Sequence, residues 1–167
     1  MRRLLAAALL PALLFLGCGA SSLRPAAYPD PEVRCPGGLL TWGLEIRDLR
    51  ADRSDSERVT SLIRASLAQS FPDCRWQNSA REGTPAVSIE IHRFAVVRDG
   101  NFWESAAEWT VLARDAAGRP LTEFQSEAEV SRPNYRGANN EVEAMKGAFD
   151  QAIRRTLEGL KAVSSAG

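Results

Sequence analysis

The thiol and imidazole side chains of this 167-residue chain are few: Cys18, Cys35 and Cys74, and one histidine, His92. Carboxylates are plentiful, but those on one strand face follow from spacing and give no evidence for a paired acid and base. Cys35 and Cys74 are spaced neither as C-x-x-C nor as a zinc pattern, and no histidine lies near either in sequence. The start of the chain reads as an export signal, which places the pair where disulfides form and persist, so a Cys35–Cys74 bridge is expected. Closing a loop of about 40 residues would add roughly 4 kcal/mol of stability in the chain-entropy model. His92 alternates onto the polar side of a strand beside Glu90, and no G-x-S-x-G nucleophile motif accompanies it. Gly-rich phosphate loops, H-E-x-x-H and calcium-loop patterns are absent from the sequence. The expectation is therefore a protein that is not an enzyme and uses no cofactor and no metal. A minimal hydrolase working through His92 is the enzymatic alternative.

Cys18 has a different setting. Arg2 and Arg3 precede an uncharged apolar run from Leu4 to Leu16 and the small Gly17, the layout of a secretory signal. The run is shorter than the about 20 residues a permanent span requires. Leu14-Phe15-Leu16-Gly17-Cys18 resembles the lipobox of bacterial lipoproteins, and the resemblance implies cleavage before Cys18 and its acylation, a palmitate-class anchor. Gly19, rather than Asp, after the cysteine resembles the outer-membrane sorting pattern and implies attachment there, facing the periplasm. Residues 1–17 are thus expected as signal, and 18–38 as a lipidated cysteine with a tether carrying Pro25, Pro29, Pro31 and Pro36. Fully extended, the stretch from Cys18 to Cys35 would reach roughly 50 Å. Without Arg2 and Arg3 the chain has 19 basic against 21 acidic residues, a net charge of −2. No dense basic cluster marks a nucleic-acid surface. Arg47, Arg50 and Arg53 form the one basic series, over a strand end and a turn, expected as a solvated loop with an anion site as the alternative.

The elements that must position these residues follow from hydrophobic period. Trp42, Leu44 and Ile46 alternate with polar neighbours, predicting a strand over about 39–49. Ser54 and Glu57 have capping-box spacing ahead of Val59, Leu62, Ile63 and Leu67, predicting a helix over about 55–70 that ends before Pro72. A short strand around Cys74 to Asn78 should turn Trp76 inward. Val87, Ile89 and Ile91 hold one parity and Phe94 and Val96 the other, which calls for a bulge, a twist or two-sided burial near Arg93. Asp99-Gly100-Asn101 is a turn, after which Trp103 to Ala113 should return as the second strand of a hairpin. A second turn at Asp115 to Gly118 leads to Phe124, Ser126, Ala128 and Val130 facing in. Glu123, Gln125, Glu127 and Glu129 then face out, the pattern of a one-sided antiparallel sheet. Asn140 and Glu143 repeat the capping-box spacing before an amphipathic helix of about five turns, from Val142 to Leu160. The fold class is α+β: a two-layer sandwich of order β-α-β-β-β-β-α, with a mostly antiparallel four- to five-stranded sheet and two helices on one face. Residues 39–161 form one domain, and 162–167 a fraying tail.

The layout from Leu44 to Leu160 resembles small envelope lipoproteins grouped around the lipopolysaccharide-assembly lipoprotein LptE, the YajG lipoproteins and the auxiliary lipoproteins of ABC-type lipid transporters. The residues carrying the resemblance are the Cys18 signal, the helix Ser56 to Ser70, the run Val87-Ser88-Ile89-Glu90-Ile91-His92-Arg93-Phe94, the stretch from Glu108 to Leu121 and the final helix. The resemblance implies a non-catalytic accessory lipoprotein of a lipid- or lipopolysaccharide-transport or other envelope complex. Its partners would be the membrane through Cys18, an envelope protein and, in an alternative, a lipid or glycan held by the domain alone. Contact residues expected from their place beside turns and loops are Phe102, Trp103, Tyr135 and Arg136.

Overall fold

The computed structural model describes residues 23–28, 35–36, 41–135 and 139–165. Cys18, Gly19 and Arg136 lie outside the described residues. The elements are β1 (Thr41–Asp48), α1 (Ser56–Ser70), β2 (Arg75–Gln77), β3 (Ala86–Asp99), β4 (Phe102–Arg114), β5 (Pro120–Pro133) and α2 (Asn140–Ser165). One five-stranded sheet of order β2-β1-β3-β4-β5 carries both helices on the same side. The expected α+β order is the observed one.

The long strands β3, β4 and β5 pair antiparallel, whereas β1 is parallel to both β2 and β3. The parallel join follows from α1, which returns the chain to the starting edge of the sheet. Trp42, Leu44, Val87, Ile89, Ile91, Trp109, Val111 and Ala113 form the inner sheet face and are all fully buried. α2 lies across β4 and β5, and α1 over β1. Phe149 of α2 meets Phe94 and Trp109 with ring centroids 6.0 and 6.2 Å apart. Glycine lets α2 approach closely: a Cβ on Gly159 would stand 2.3 Å from Cζ of Phe124.

Trp109 brings a polar atom into this core, and Thr156 answers it. The indole N–H donates to Thr156 Oγ1 at 2.8 Å, and Thr156 donates its one hydrogen to the Ala152 carbonyl at 3.0 Å. Ser126 Oγ lies 2.9 Å from Thr156 Oγ1, so the serine must be the donor there. All three side chains are fully buried, and every polar atom among them is paired.

Four expectations need correction. The helix start is not a Ser54 capping box: Asp55 is the N-cap, it makes no side-chain cap bond, and its carboxylate accepts instead from Arg50 Nη2 at 2.7 Å. Arg50 is not solvated but buried, held also by Asp48 at 2.7 and 2.9 Å and by the Phe94 carbonyl at 3.1 Å. The tail does not fray at 162, because Val163 extends the apolar stripe of α2 and is buried. The proline-rich stretch is not wholly a free tether. Ala26 N–H donates to Ser66 Oγ at 3.0 Å and Tyr28 N–H to Ser70 Oγ at 3.2 Å, both on α1. Leu23 and Ala26 are buried, the Tyr28 hydroxyl lies 3.5 Å from the Asp150 carbonyl of α2, and the Arg154 guanidinium sits 4.6 Å above the Tyr28 ring. Residues 23–28 therefore form a strap along the groove between the helices. Cys35 and Cys74 are joined in the expected disulfide, with Cα atoms 5.3 Å apart.

Candidate partner-binding surface

The second face of the sheet has no helix on it among the described residues, and the β3–β4 hairpin governs its shape. β3 pairs with β1 only as far as Ile91, so beyond that point the sheet consists of β3, β4 and β5. The register shifts between Ile91 and Arg93 while β4 runs on from Trp109 to Glu108, which makes His92 the extra residue of a β-bulge. His92 Nε2 lies 3.0 Å from Thr110 Oγ1, and Arg93 Nη1 lies 3.2 Å from Glu129 Oε1, so both consecutive side chains reach over the open face. The parity switch read from the sequence is this bulge. It keeps Phe94 under α2 despite the intervening residue.

Past the bulge, cross-strand register puts Ala95, Ala106 and Glu129 side by side on the open face, followed by Val97, Glu104 and Ser131, then Phe102 with Pro133. The small side chains of Ala95 and Ala106 floor a shallow depression of about 230 Å³, bordered by Arg93, Glu104, Glu129 and Val97. Val97 is 54 % and Phe102 48 % exposed at its outer end. Two apolar side chains thus stand beside a small hollow edged with both signs of charge. The hairpin turn itself relies on Gly100, whose φ of 53° costs a glycine little.

The expected contact residues gather at this end of the molecule without forming one patch. Phe102 belongs to the open face. Trp103 points to the helix side, is half-buried, and donates its indole N–H to Asn134 Oδ1 at 3.1 Å, fastening the segment after β5 to the hairpin. Tyr135 follows on that segment and is 69 % exposed. Sequence reasoning missed Val97, Ala95 and Ala106. The signal for Val97 was available, since the new parity set by Phe94 turns Val97 out while Val96 turns in.

The rest of the open face is polar and largely satisfied. Arg47 bonds Glu45 at 2.7 Å and approaches Glu90 at 3.7 Å, and Gln125 donates to Glu108 at 2.6 Å. Among the described residues no three His, Cys, Asp or Glu side chains gather as a metal site. Nor is any described helix long and apolar enough to cross a membrane. The inner space between sheet and helices is occupied by Trp42, Trp109, Phe149 and their neighbours.

No protein-family model matches the chain, and no curated protein matches it. The fold does have solved counterparts. Lipoprotein B from Nitrosomonas europaea is 15 % identical, with a TM-score of 0.52 over 80 % of this chain and 88 % of its own. The rare lipoprotein B from Shewanella oneidensis is 14 % identical, with a TM-score of 0.50 over 74 % of this chain and 97 % of its own. At these identities the likeness is one of fold: two helices on one side of a mixed, mainly antiparallel sheet.

Proposed function

We propose that this chain is a lipid-anchored, non-catalytic accessory lipoprotein of a bacterial envelope assembly, attached through acylated Cys18 and engaging a protein partner through the hairpin end of its open sheet face. The observation that carries the reading is the pair Val97 and Phe102, exposed beside the Ala95–Ala106 hollow on a face whose remaining side chains are mainly polar or charged. Exposed apolar side chains grouped around a concavity and bordered by polar groups are the makings of an interface centre. The signal layout before Cys18 supports the anchor, and the two similarly folded proteins are themselves named lipoproteins. Gly19 supports the outer membrane, facing the periplasm, and lipid or lipopolysaccharide transport is the class of assembly implied by the resemblance in layout.

The test is capture of the tagged, full-length lipoprotein from detergent-solubilised membranes at native expression. A partner should be recovered with the parent chain and lost with Val97→Asp/Phe102→Asp, while the variant keeps its circular dichroism and melting temperature. Recovery of the parent alone, or undiminished capture by the variant, would sink the reading.

A further inference from the structure

We infer that the strap of residues 23–28 orients the domain on its membrane, turning the helix layer toward the lipid headgroups and the open sheet face away. The inference rests on the Cys18 anchor proposed above and adds a direction to it. The strap runs parallel to α1: Ala26 is bonded at Ser66 and Tyr28 one helical turn later at Ser70, so the chain heads for the amino-terminal half of α1 as it is followed back to Leu23. Leu23 is 7 % exposed and Ala26 8 %, whereas Arg24 between them is exposed, so the strap is seated by one side and solvated on the other.

That seating shortens the anchor. Cys18 stands five residues before Leu23, a distance of at most about 17 Å when fully extended. The helix layer is about 10 Å thick and rests on a sheet whose side chains take up a further layer of roughly 10 Å. From the strap, the open face is therefore about 20 Å away straight through the domain, and farther around its edge. A linker of about 17 Å brings the membrane to the strap side and cannot bring it to the opposite one. Charge agrees with the direction. Arg24 lies on the strap and Arg154 sits over its Tyr28 ring beside Asp150, whereas Glu104, Glu108, Glu123, Glu127 and Glu129 outnumber Arg93 and Arg114 on the β3–β5 part of the open face. Anionic headgroups attract the first set and repel the second.

The experiment uses the acylated full chain reconstituted into vesicles of phosphatidylethanolamine and phosphatidylglycerol. With Cys35 and Cys74 bridged and Cys18 acylated, a new surface cysteine is the labelling site. Ala68→Cys on the exposed side of α1 and Gln125→Cys on the open face each receive a fluorescent donor, and the vesicles carry a headgroup-linked acceptor. Energy transfer should be several-fold greater from position 68 than from position 125. In Leu23→Asp/Ser66→Val, which removes the buried strap contact and its hydrogen-bond acceptor, transfer from position 68 should fall toward that from 125. Equal or reversed transfer in the parent, with the protein still floating with the vesicles, would overturn the orientation and leave the anchor standing. Unchanged transfer from position 68 in the strap variant would overturn the strap as its cause. A parent chain that carries no acyl group and fails to float would overturn the anchor, and the orientation with it.

Discussion

Replacing Asp48 by Asn should cost about 2 kcal/mol at neutral pH and almost nothing in strong acid. The Asp48 side chain is 4 % exposed, and its carboxylate accepts from Arg50 Nε, Arg50 Nη2 and the Arg50 backbone N–H. Chiefly because of the Arg50 side-chain bond, and against the opposing effect of burial, its pKa is lowered from 3.8 to about 2. The folded state thus binds this proton more weakly than the unfolded chain does. Its contribution is complete above about pH 4 and disappears as the pH falls through about 2. A depression of that size corresponds to about 2 kcal/mol. Asn keeps the shape and one acceptor but not the charge. Urea unfolding of the parent and Asp48→Asn, followed by tryptophan fluorescence from pH 7 down to pH 2, isolates the effect, since every other carboxylate titrates in both proteins. The midpoints should lie well apart at pH 7 and converge at the acid end, with equal slopes. Asp55→Asn is the internal control: its side chain is 36 % exposed, so solvent weakens its pairing and the loss should be smaller. A difference within about 0.5 kcal/mol at pH 7, or one that persists undiminished at pH 2, would refute the assignment.

Reduction of the Cys35–Cys74 bridge, or Cys35→Ser/Cys74→Ser, reopens a 39-residue separation and should lower stability by about 4 kcal/mol; calorimetry should show a melting temperature lower by about 10 °C. Thr156→Val keeps the volume but strips Trp109 Nε1 of its acceptor and Ser126 of its partner, so denaturant unfolding should show a loss of about 2 kcal/mol, and a neutral result would contradict the buried network. Deleting His92 removes the unpaired residue and leaves Ile91 opposite Trp109 and Arg93 opposite Glu108. The deletion protein should therefore fold, with a native-like circular dichroism spectrum and a changed hairpin bend; an unfolded product would show that the bulge is needed for the core.

The period of the apolar residues made most of the architecture legible. Alternation at Val87, Ile89 and Ile91 and the three-to-four spacing at Phe149, Ile153, Leu157 and Leu160 each report burial on one side, and burial on one side is what builds a two-layer fold. Two kinds of information were less accessible. Pairing direction was one, because alternation is the same in parallel and antiparallel strands, so the parallel β2-β1-β3 edge could not be read. Polar residues with buried partners were the other. Arg50 resembles a loop cation until Asp48, Asp55 and the Phe94 carbonyl are brought around it by the β1–α1 turn. Ser66 and Ser70 look like interruptions of the α1 stripe. They are its acceptors for the backbone N–H groups of Ala26 and Tyr28, residues some forty positions earlier whose own composition suggested a free tether. In the candidate surface Phe102 was legible as a large side chain beside a turn, whereas Ala95 and Ala106 matter by being small, a property that only register turns into a hollow.

The strap and the bulge act on opposite faces, the strap covering apolar ground between the helices and the bulge setting the hairpin end of the open sheet face. The groove between α1 and α2 would expose the apolar ground that Leu23 and Ala26 cover, and a partner binding there would have to displace the strap and its two hydrogen bonds. Displacement would also lengthen the chain between the proposed anchor and the domain, so helix-side binding could not occur without moving the domain relative to its membrane. The hairpin end of the open face carries no such coupling. There the bulge absorbs one residue, keeps Phe94 in the core against Phe149, and thereby fixes Val97 outward beside the Ala95–Ala106 hollow. A partner can meet Val97 and Phe102 while the core, the strap and the proposed anchor stay as they are. Of these two surfaces, the hairpin end of the sheet is the one where binding leaves the strap and its hydrogen bonds in place.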